Sequence, residues 1–265
     1  MRAAAQREPG ATDPAPAVSG ADALRETLAT GAAMSVAGVT VTHARIGDRP
    51  VSFVTDKRRD PIQRAHRHGA FYEPEELALI AARFPQGGTF VDIGANVGNH
   101  GLYAALFLGA ARVIPFEPNP LAYRLLFANV AVNALVDRFV LDHIGVGLSD
   151  TEAGGFAMTE REKNLGNARM VAGGGDIAVI RGDTALAGTA PDFIKIDVEG
   201  MEMKALGGLR ETIGRARPAM LIEVDKTNEA DFQTWRARMG YRVAETIKRY
   251  VTNRNYLLLP GESGQ

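Results

Sequence analysis

Two kinds of residue in this chain of 265 could do chemistry: glycines spaced to cradle a ligand, and acids that end apolar runs. The run Thr89–Val91 meets Asp92. Glycines follow at Gly94, Gly98 and Gly101, and then an apolar pattern of helical period begins (Leu102, Leu106, Phe107). This reads as a strand, a tight turn and a helix. Glycine lets a backbone approach a ligand closely, and a helix N-terminus offers free N–H groups. A dinucleotide fingerprint would read G-x-G-x-x-G. Here the reading is D-x-G-x-x-x-G, and the turn Gly94-Ala95-Asn96 lacks the second dinucleotide glycine.

The acids come next. Glu117, in FEPNP, ends the following apolar run 23 residues after Gly94. An acidic side chain there can accept hydrogen bonds from both hydroxyls of a ribose. Its competing reading is a helix-capping acid, a role Asn119 already suits. Asp197 and Glu199 end the run in DFIKIDVEGMEMKAL (192–206), and Glu223 and Asp225 end the run in RPAMLIEV and beyond. Glu199 and Glu202 also read as first-turn helix acids favoured by the helix dipole.

These residues need elements to hold them. Apolar runs at 89–94, 112–117, 139–148, 192–198 and 219–224 read as strands. Helical periods fall between them at roughly 98–108, 119–133, 201–215 and 228–239. Such alternation predicts a parallel sheet covered on both faces. Before it, a short helix is expected over 21–30, a hairpin over 36–46 and 51–55, an irregular basic segment over 56–69, and a helix over 73–84 with Pro74 in its first turn. Residues 151–190 read as Gly-rich pieces decorating the sheet. Residues 241–247 and 250–259 read as a terminal hairpin.

Composition narrows the classes. At 46% hydrophobic the chain can bury a full core. A net charge of −1 shows no footprint for nucleic acid. With no cysteine there is no disulfide, thiolate nucleophile or Cys-based zinc site. No apolar run approaches the roughly 20 residues of a membrane helix. Residues 1–20 lack the core of a signal peptide and read as a disordered tail. A cytoplasmic location is the expectation.

The blocks together resemble the FkbM family of methyltransferases. They occur in order: YEPEEL at 72–77, DIGANVG, FEPNP, an L-S-D turn (Leu148, Ser149, Asp150), N-x-G-N at 164–167, IKIDVEGME and LIEV. The resemblance spans roughly residues 70–259, and IKIDVEG is far more specific than the glycine loop. It implies an α/β, Rossmann-like class I methyltransferase fold. That means a seven-stranded, mostly parallel sheet with helices on both faces and a terminal antiparallel hairpin; the small N-terminal hairpin-and-helix extension precedes the resemblance, and the region before residue 70 carries none of its motifs. The resemblance divides the chain into the tail (1–20), the extension (21–72) and the catalytic domain (73–260). It implies S-adenosylmethionine as methyl donor and O-methylation of a small-molecule or glycan hydroxyl as the usual activity. Carried over by position, Asp92, Gly94, Ala95, Asn96 and Gly98 cradle the methionine and ribose part, Glu117 holds the ribose, Ser149 and Asp150 lie near the adenine, and Glu73 approaches the donor.

Transfer of a methyl group from a sulfonium to oxygen is an in-line displacement, so alignment supplies much of the rate. A hydroxyl is a poor nucleophile at neutral pH and needs a base or a metal. Two readings of the acids stand. Asp197 or Glu199 is the base; or Asp197, Glu223 and Asp225 bind Mg²⁺, a hard cation suited to oxygen ligands. The first is preferred, with no metal required. His100 could face the acceptor, but reads more simply as a packing or helix-surface residue. His143 reads as a core histidine on a strand. His66 and His68, with Lys57, Arg58, Arg59, Arg64 and Arg67, could recognise an acidic substrate, though charge runs are more often solvated loops. Lys195 could pair with a nearby acid. A nicotinamide-dependent oxidoreductase and a non-catalytic donor-binding domain are the alternatives from other classes; the missing second glycine weighs against the first, and the acids at both strand ends against the second.

Overall fold

The computed structural model describes residues 20–30, 38–159, 165, 168–249 and 251–261. The tail expected over 1–20 and most of the N-x-G-N block lie outside the described residues. The chain begins with α1 (Gly20–Thr30), then an antiparallel hairpin of β1 (Thr40–Ile46) and β2 (Arg49–Thr55). The basic segment is not irregular: it folds into α2 (Pro61–Arg67). Asp60 caps this helix by accepting from Gln63 N–H at 3.0 Å, and Pro61 takes the first turn, where its missing N–H costs nothing. Next comes α3 (Pro74–Ala81).

The α/β part then runs β3 (Thr89–Ile93), α4 (Asn99–Phe107), β4 (Arg112–Phe116) and α5 (Pro120–Val132). The insertion follows as β5 (Val146–Ser149), β6 (Ala153–Met158), β7 (Met170–Ala172), β8 (Ile177–Arg181) and α6 (Gly182–Ala185). The chain closes with β9 (Phe193–Ile196), α7 (Glu202–Gly208), α8 (Arg210–Ala216), β10 (Ala219–Asp225), α9 (Glu229–Arg238), β11 (Tyr241–Ile247) and β12 (Asn253–Pro260). The helix expected over 201–215 is thus two, separated at Leu209.

The central sheet has six strands in the order β11-β12-β10-β9-β3-β4. From β4 to β10 all pairings are parallel; β12 and β11 are antiparallel, as expected of a terminal hairpin. The expected seventh strand is not a strand of this sheet. Residues 139–148 follow one 3-10 turn, Val136–Arg138, and hold another, Leu141–His143; their backbone pairs with β4 and the residue after it only through isolated bridges, Phe139 to Val113 and Ile144 to Glu117. The run ends in β5, which pairs with β8 in a separate four-stranded sheet, β5-β8-β6-β7. The insertion is therefore a sheet of its own. His143 lies in a 3-10 turn, stacked on Phe116 with ring centroids 4.7 Å apart.

Successive residues of the central strands feed opposite layers, as the two-residue period of a strand requires. Phe90, Phe193, Leu221 and Leu257 pack with Leu102 of α4 and Leu126 of α5. Val91, Ile194, Ile222 and Leu258 pack with Leu206 of α7, Ile213 of α8 and Phe232 of α9. The extension is fixed by α5. Asn129 Oδ1 accepts from Val54 N–H (2.6 Å) and Asn133 Oδ1 from Ser52 N–H (2.9 Å), while the Asn133 amide donates to Ser52 O (2.7 Å). Two asparagines one helical turn apart thereby occupy the free edge of β2.

Candidate active site

The four parallel strands β3, β4, β9 and β10 end on one side of the sheet, and the chain reverses its direction of build-up between β3 and β9. Ligands of open α/β sheets bind at such a switch point. A cavity of ≈ 760 Å³ lies there. Gly94, Ala95 and Asn96 after β3, Glu117 and Pro118 after β4, Asp197 and Glu199 after β9, and Glu223 and Asp225 at the end of β10 all line it. Its polar row follows from the register. Asp92 pairs with Lys195 across β3 and β9, and Lys195 with Leu221 across β9 and β10. Two residues on, the same face carries Gly94, Asp197 and Glu223.

Gly94 has φ +79°, and a Cβ there would sit 1.8 Å from the Asp197 carbonyl oxygen. No other residue lets β3 and β9 open the cavity side by side. Asn96 turns the chain with φ 50°, and its N–H donates to Glu117 Oε2 at 2.7 Å. The other Glu117 oxygen accepts from Asn119 N–H at 2.8 Å. Glu117 is thus fixed against the glycine turn, and burial raises its pKa to about 7 despite those two N–H groups.

Asp92, Gly98, Ser149 and Asp150 are not among the residues that line the cavity. Asp92 is fully buried beneath the turn; it accepts from Gly101 N–H at 3.1 Å and lies 3.8 Å from Lys195 Nζ. Its place is structural. Gly98 starts α4 with φ 90°. Ser149 points to Asp150 (3.2 Å), because β5 was drawn into the second sheet, so that strand meets the cavity through Gly147 and Leu148 instead. The apolar side of the cavity is completed by Phe116, Met158 and Met170.

The opposite end is acidic. Lys195 is 5% exposed and donates to Asp197 Oδ2 (3.2 Å) and to Gly94 O (3.3 Å). The neighbouring carboxylates of Asp197, Asp92 and Glu73 outweigh its burial and hold it protonated. Glu199 has a left-handed backbone (φ 49°) and a pKa raised to about 7 by burial and by the charge of Asp197. Glu223 is raised to about 9 by burial and by Asp197, Glu199 and Glu73; Asn253 Nδ2 donates to it at 2.6 Å. Asp225 is lowered by the N–H and hydroxyl of Thr227. Arg169, from the insertion, reaches Asp225 at 3.1 Å.

Residues before β3 also build this wall. Glu73, with φ 60°, lines the cavity; burial and Asp197 raise its pKa to about 7. Arg249 lies 3.5 Å from Glu73 and 2.7 Å from Glu76. His100 is no surface residue: it lines the cavity with 6% exposure, and its Nε2 lies 3.4 Å from Glu73 Oε2. Sequence reasoning also missed Asn99, which lines the cavity and bonds Tyr72 through both amide atoms. Left-handed, non-glycine backbone is sparsely populated and concentrates at functional sites. Of the five such residues described, Glu73, Asn96 and Glu199 line this cavity. The basic segment reaches the cavity only through Pro61 and Ile62: His66 is buried, stacked on Phe53 (4.3 Å) and in contact with Asn99 Oδ1 (3.1 Å), and Lys57, Arg58, Arg59, Arg64, Arg67 and His68 lie outside the lining.

A methyltransferase named sdnD from Sordaria araneosa is 27% identical over 167 residues, 49% of this chain and 63% of its own length. The match thus spans less than two thirds of that relative. Among solved structures, a methyltransferase FkbM from Methylobacillus flagellatus KT is 22% identical with a TM-score of 0.49, covering 70% of this chain and 46% of that one. The M1A22 tRNA methyltransferase TrmK of B. subtilis is 14% identical with a TM-score of 0.45, covering 71% of this chain and 65% of that one. The methyltransferase FkbM domain profile matches residues 92–256, from the glycine turn through the acidic strand ends to the terminal hairpin. The chain belongs to the methyltransferase FkbM domain family.

Proposed function

We propose that this protein is an S-adenosylmethionine-dependent O-methyltransferase acting on a hydroxyl of a small molecule or glycan. The observation that carries the reading is the division of one cavity into two ends. A glycine turn with a buried Glu117 suits a nucleoside, and a wall of Asp197, Glu199 and Glu223 suits a hydroxyl that must lose a proton.

The donor's fit rests on two features. Glycine at 94 leaves a cradle that any Cβ would fill. Glu117 uses its oxygens on two backbone N–H groups yet still borders the cavity, so it retains lone pairs for ribose hydroxyls. Asn96 and Ala95 would flank the same ribose and methionine part, and the apolar side (Phe116, Leu148, Met158) would take the adenine. When bound, S-adenosylmethionine supplies an electrophilic methyl group. The chain's own work is to align the acceptor and take its proton. Asp197 is engaged by Lys195, so Glu199 carries the base role.

Calorimetry tests this directly. S-adenosylhomocysteine is expected to bind at micromolar concentration and NAD not at all, and Glu117→Ala is expected to weaken the first by about tenfold or more, the loss of hydrogen bonds to a charged acceptor. Binding of NAD without S-adenosylhomocysteine would overturn the assignment.

The metal reading also has an observation behind it: oxygens of Asp197, Glu199 and Glu223 come within 4.8 Å of one another. Against it, the Lys195 ammonium already lies on Asp197 and repels a cation. Methyl transfer is therefore expected to survive excess EDTA; loss of activity restored by Mg²⁺ would establish the metal.

A further inference from the structure

Glu73 and His100 stand at the acidic end of the cavity, and the assigned chemistry uses neither. Glu73 belongs to the part of the chain before the family-matched residues, and three restraints hold it inward. The N–H of Tyr72 donates to Asn99 Oδ1 at 2.9 Å, and Tyr72 O accepts from Asn99 Nδ2 at 3.0 Å. Pro74 follows Glu73 and starts α3, fixing the backbone on the other side. Arg249 approaches the Oε1 atom at 3.5 Å. The left-handed backbone at Glu73 (φ 60°) is strained, and such strain concentrates at functional sites.

His100 adds an independent sign. Its side chain is 7% exposed, and its Nε2 is buried without a hydrogen bond, although Glu73 Oε2 is only 3.4 Å away. A buried polar nitrogen left in this way is costly unless a ligand completes it. Burial and the nearby charges of Lys195 and Arg249 keep the imidazole neutral, so it offers one N–H and one lone pair.

We propose that Glu73 and His100 form a specificity pair that receives a second hydroxyl of the acceptor, distinct from the one methylated. A hydroxyl matches this pair because it both donates and accepts. Its hydrogen goes to the Glu73 carboxylate and its lone pair takes the imidazole N–H. Both groups share the end of the cavity where Asp197 faces Glu199, so a two-hydroxyl acceptor can present one group to each. The proposal rests on the O-methyltransferase reading, and it moves Glu73 from donor binding to acceptor selection.

The test uses the full chain saturated with S-adenosylhomocysteine. Affinities for cis-1,2-cyclohexanediol and cyclohexanol are titrated by ligand-observed NMR. Wild type is expected to prefer the diol by about fivefold or more, the worth of an added buried hydrogen bond. Glu73→Ala and His100→Phe are each expected to bring the ratio to about one without weakening S-adenosylhomocysteine. If Glu73→Ala does not fold, His100→Phe, which preserves an aromatic ring, carries the test. Wild type that fails to distinguish the two alcohols, by binding both equally or neither, overturns the proposal. So does a loss of S-adenosylhomocysteine binding in folded Glu73→Ala, which would return Glu73 to the donor. Wild type that does not bind S-adenosylhomocysteine at all overturns instead the reading beneath it.

Discussion

Glu199→Gln is expected to lower the turnover number by about 10²- to 10⁴-fold, the usual worth of a positioned general base. The affinity for S-adenosylhomocysteine is expected to stay unchanged, because Glu199 lies after β9, across the cavity from Glu117. The other acids at the ends of β9 and β10 are otherwise engaged. Asp197 spends an oxygen on Lys195 at 3.2 Å. Glu223, raised to about 9, is protonated at neutral pH and cannot accept a proton there. Asp225 is lowered and paired with Arg169, which makes it a weak base. Of the acids at the ends of β9 and β10, Glu199 is left, with a pKa of about 7. A base acts only when ionised, so turnover should rise with pH through about 7 and level off above it. The residual activity of Glu199→Gln should lack that rise. The measurement is S-adenosylhomocysteine formation against pH with both substrates saturating. Wild-type turnover in the variant would remove Glu199 from the role.

The amino-acid sequence carried the site unevenly, and the reasons are physical. Local rules made the glycine turn, Glu117 and the acids of β9 and β10 legible, because each needs only a strand end and a short turn. The register then aligned them, since Asp92, Lys195 and Leu221 pair directly and every second residue shares a face. Residues 139–148 misled because their β-branched and aromatic residues fit a strand, while Asp142 and Gly145 allow the 3-10 turn and the switch to another sheet. With β5 in that sheet, the cavity is lined by Gly147 and Leu148 rather than by Ser149 and Asp150. Arg249 meeting Glu76, 173 residues away, has no local signal at all. Nor does Asn99, whose amide bonds a backbone group 27 residues earlier. His100 is the intermediate case. Its position at the start of α4 was plain, but only the fold of the extension shows that Glu73 faces it.

Lys195→Met is expected to destabilise the protein by about 3–5 kcal/mol, the cost of leaving buried charge without its partner. The ammonium is nearly fully buried between β3 and β10 and answers two carboxylates, Asp197 at 3.2 Å and Asp92 at 3.8 Å. Asp92 is fully buried and its Oδ1 has no hydrogen bond, so Lys195 is the one cation stabilising that oxygen among the described residues. Methionine matches the length of the lysine stem, so packing changes little and the loss is electrostatic. The sign with pH follows from the acids released. Without the cation, burial raises Asp92 further, and an acid whose folded pKa is raised favours the native state only while protonated. The deficit of Lys195→Met relative to wild type should therefore shrink as the pH falls toward the ordinary carboxylate range. Asp92→Asn in the same background should recover part of it, because the buried charge is then gone. Urea unfolding of wild type, the single variant and the double variant at pH 7 and 5 reads all of this. A variant as stable as wild type would show that Asp92 is neutral in the native protein and that Lys195 belongs to Asp197 and the Gly94 carbonyl alone, the two contacts that hold the glycine turn against β9.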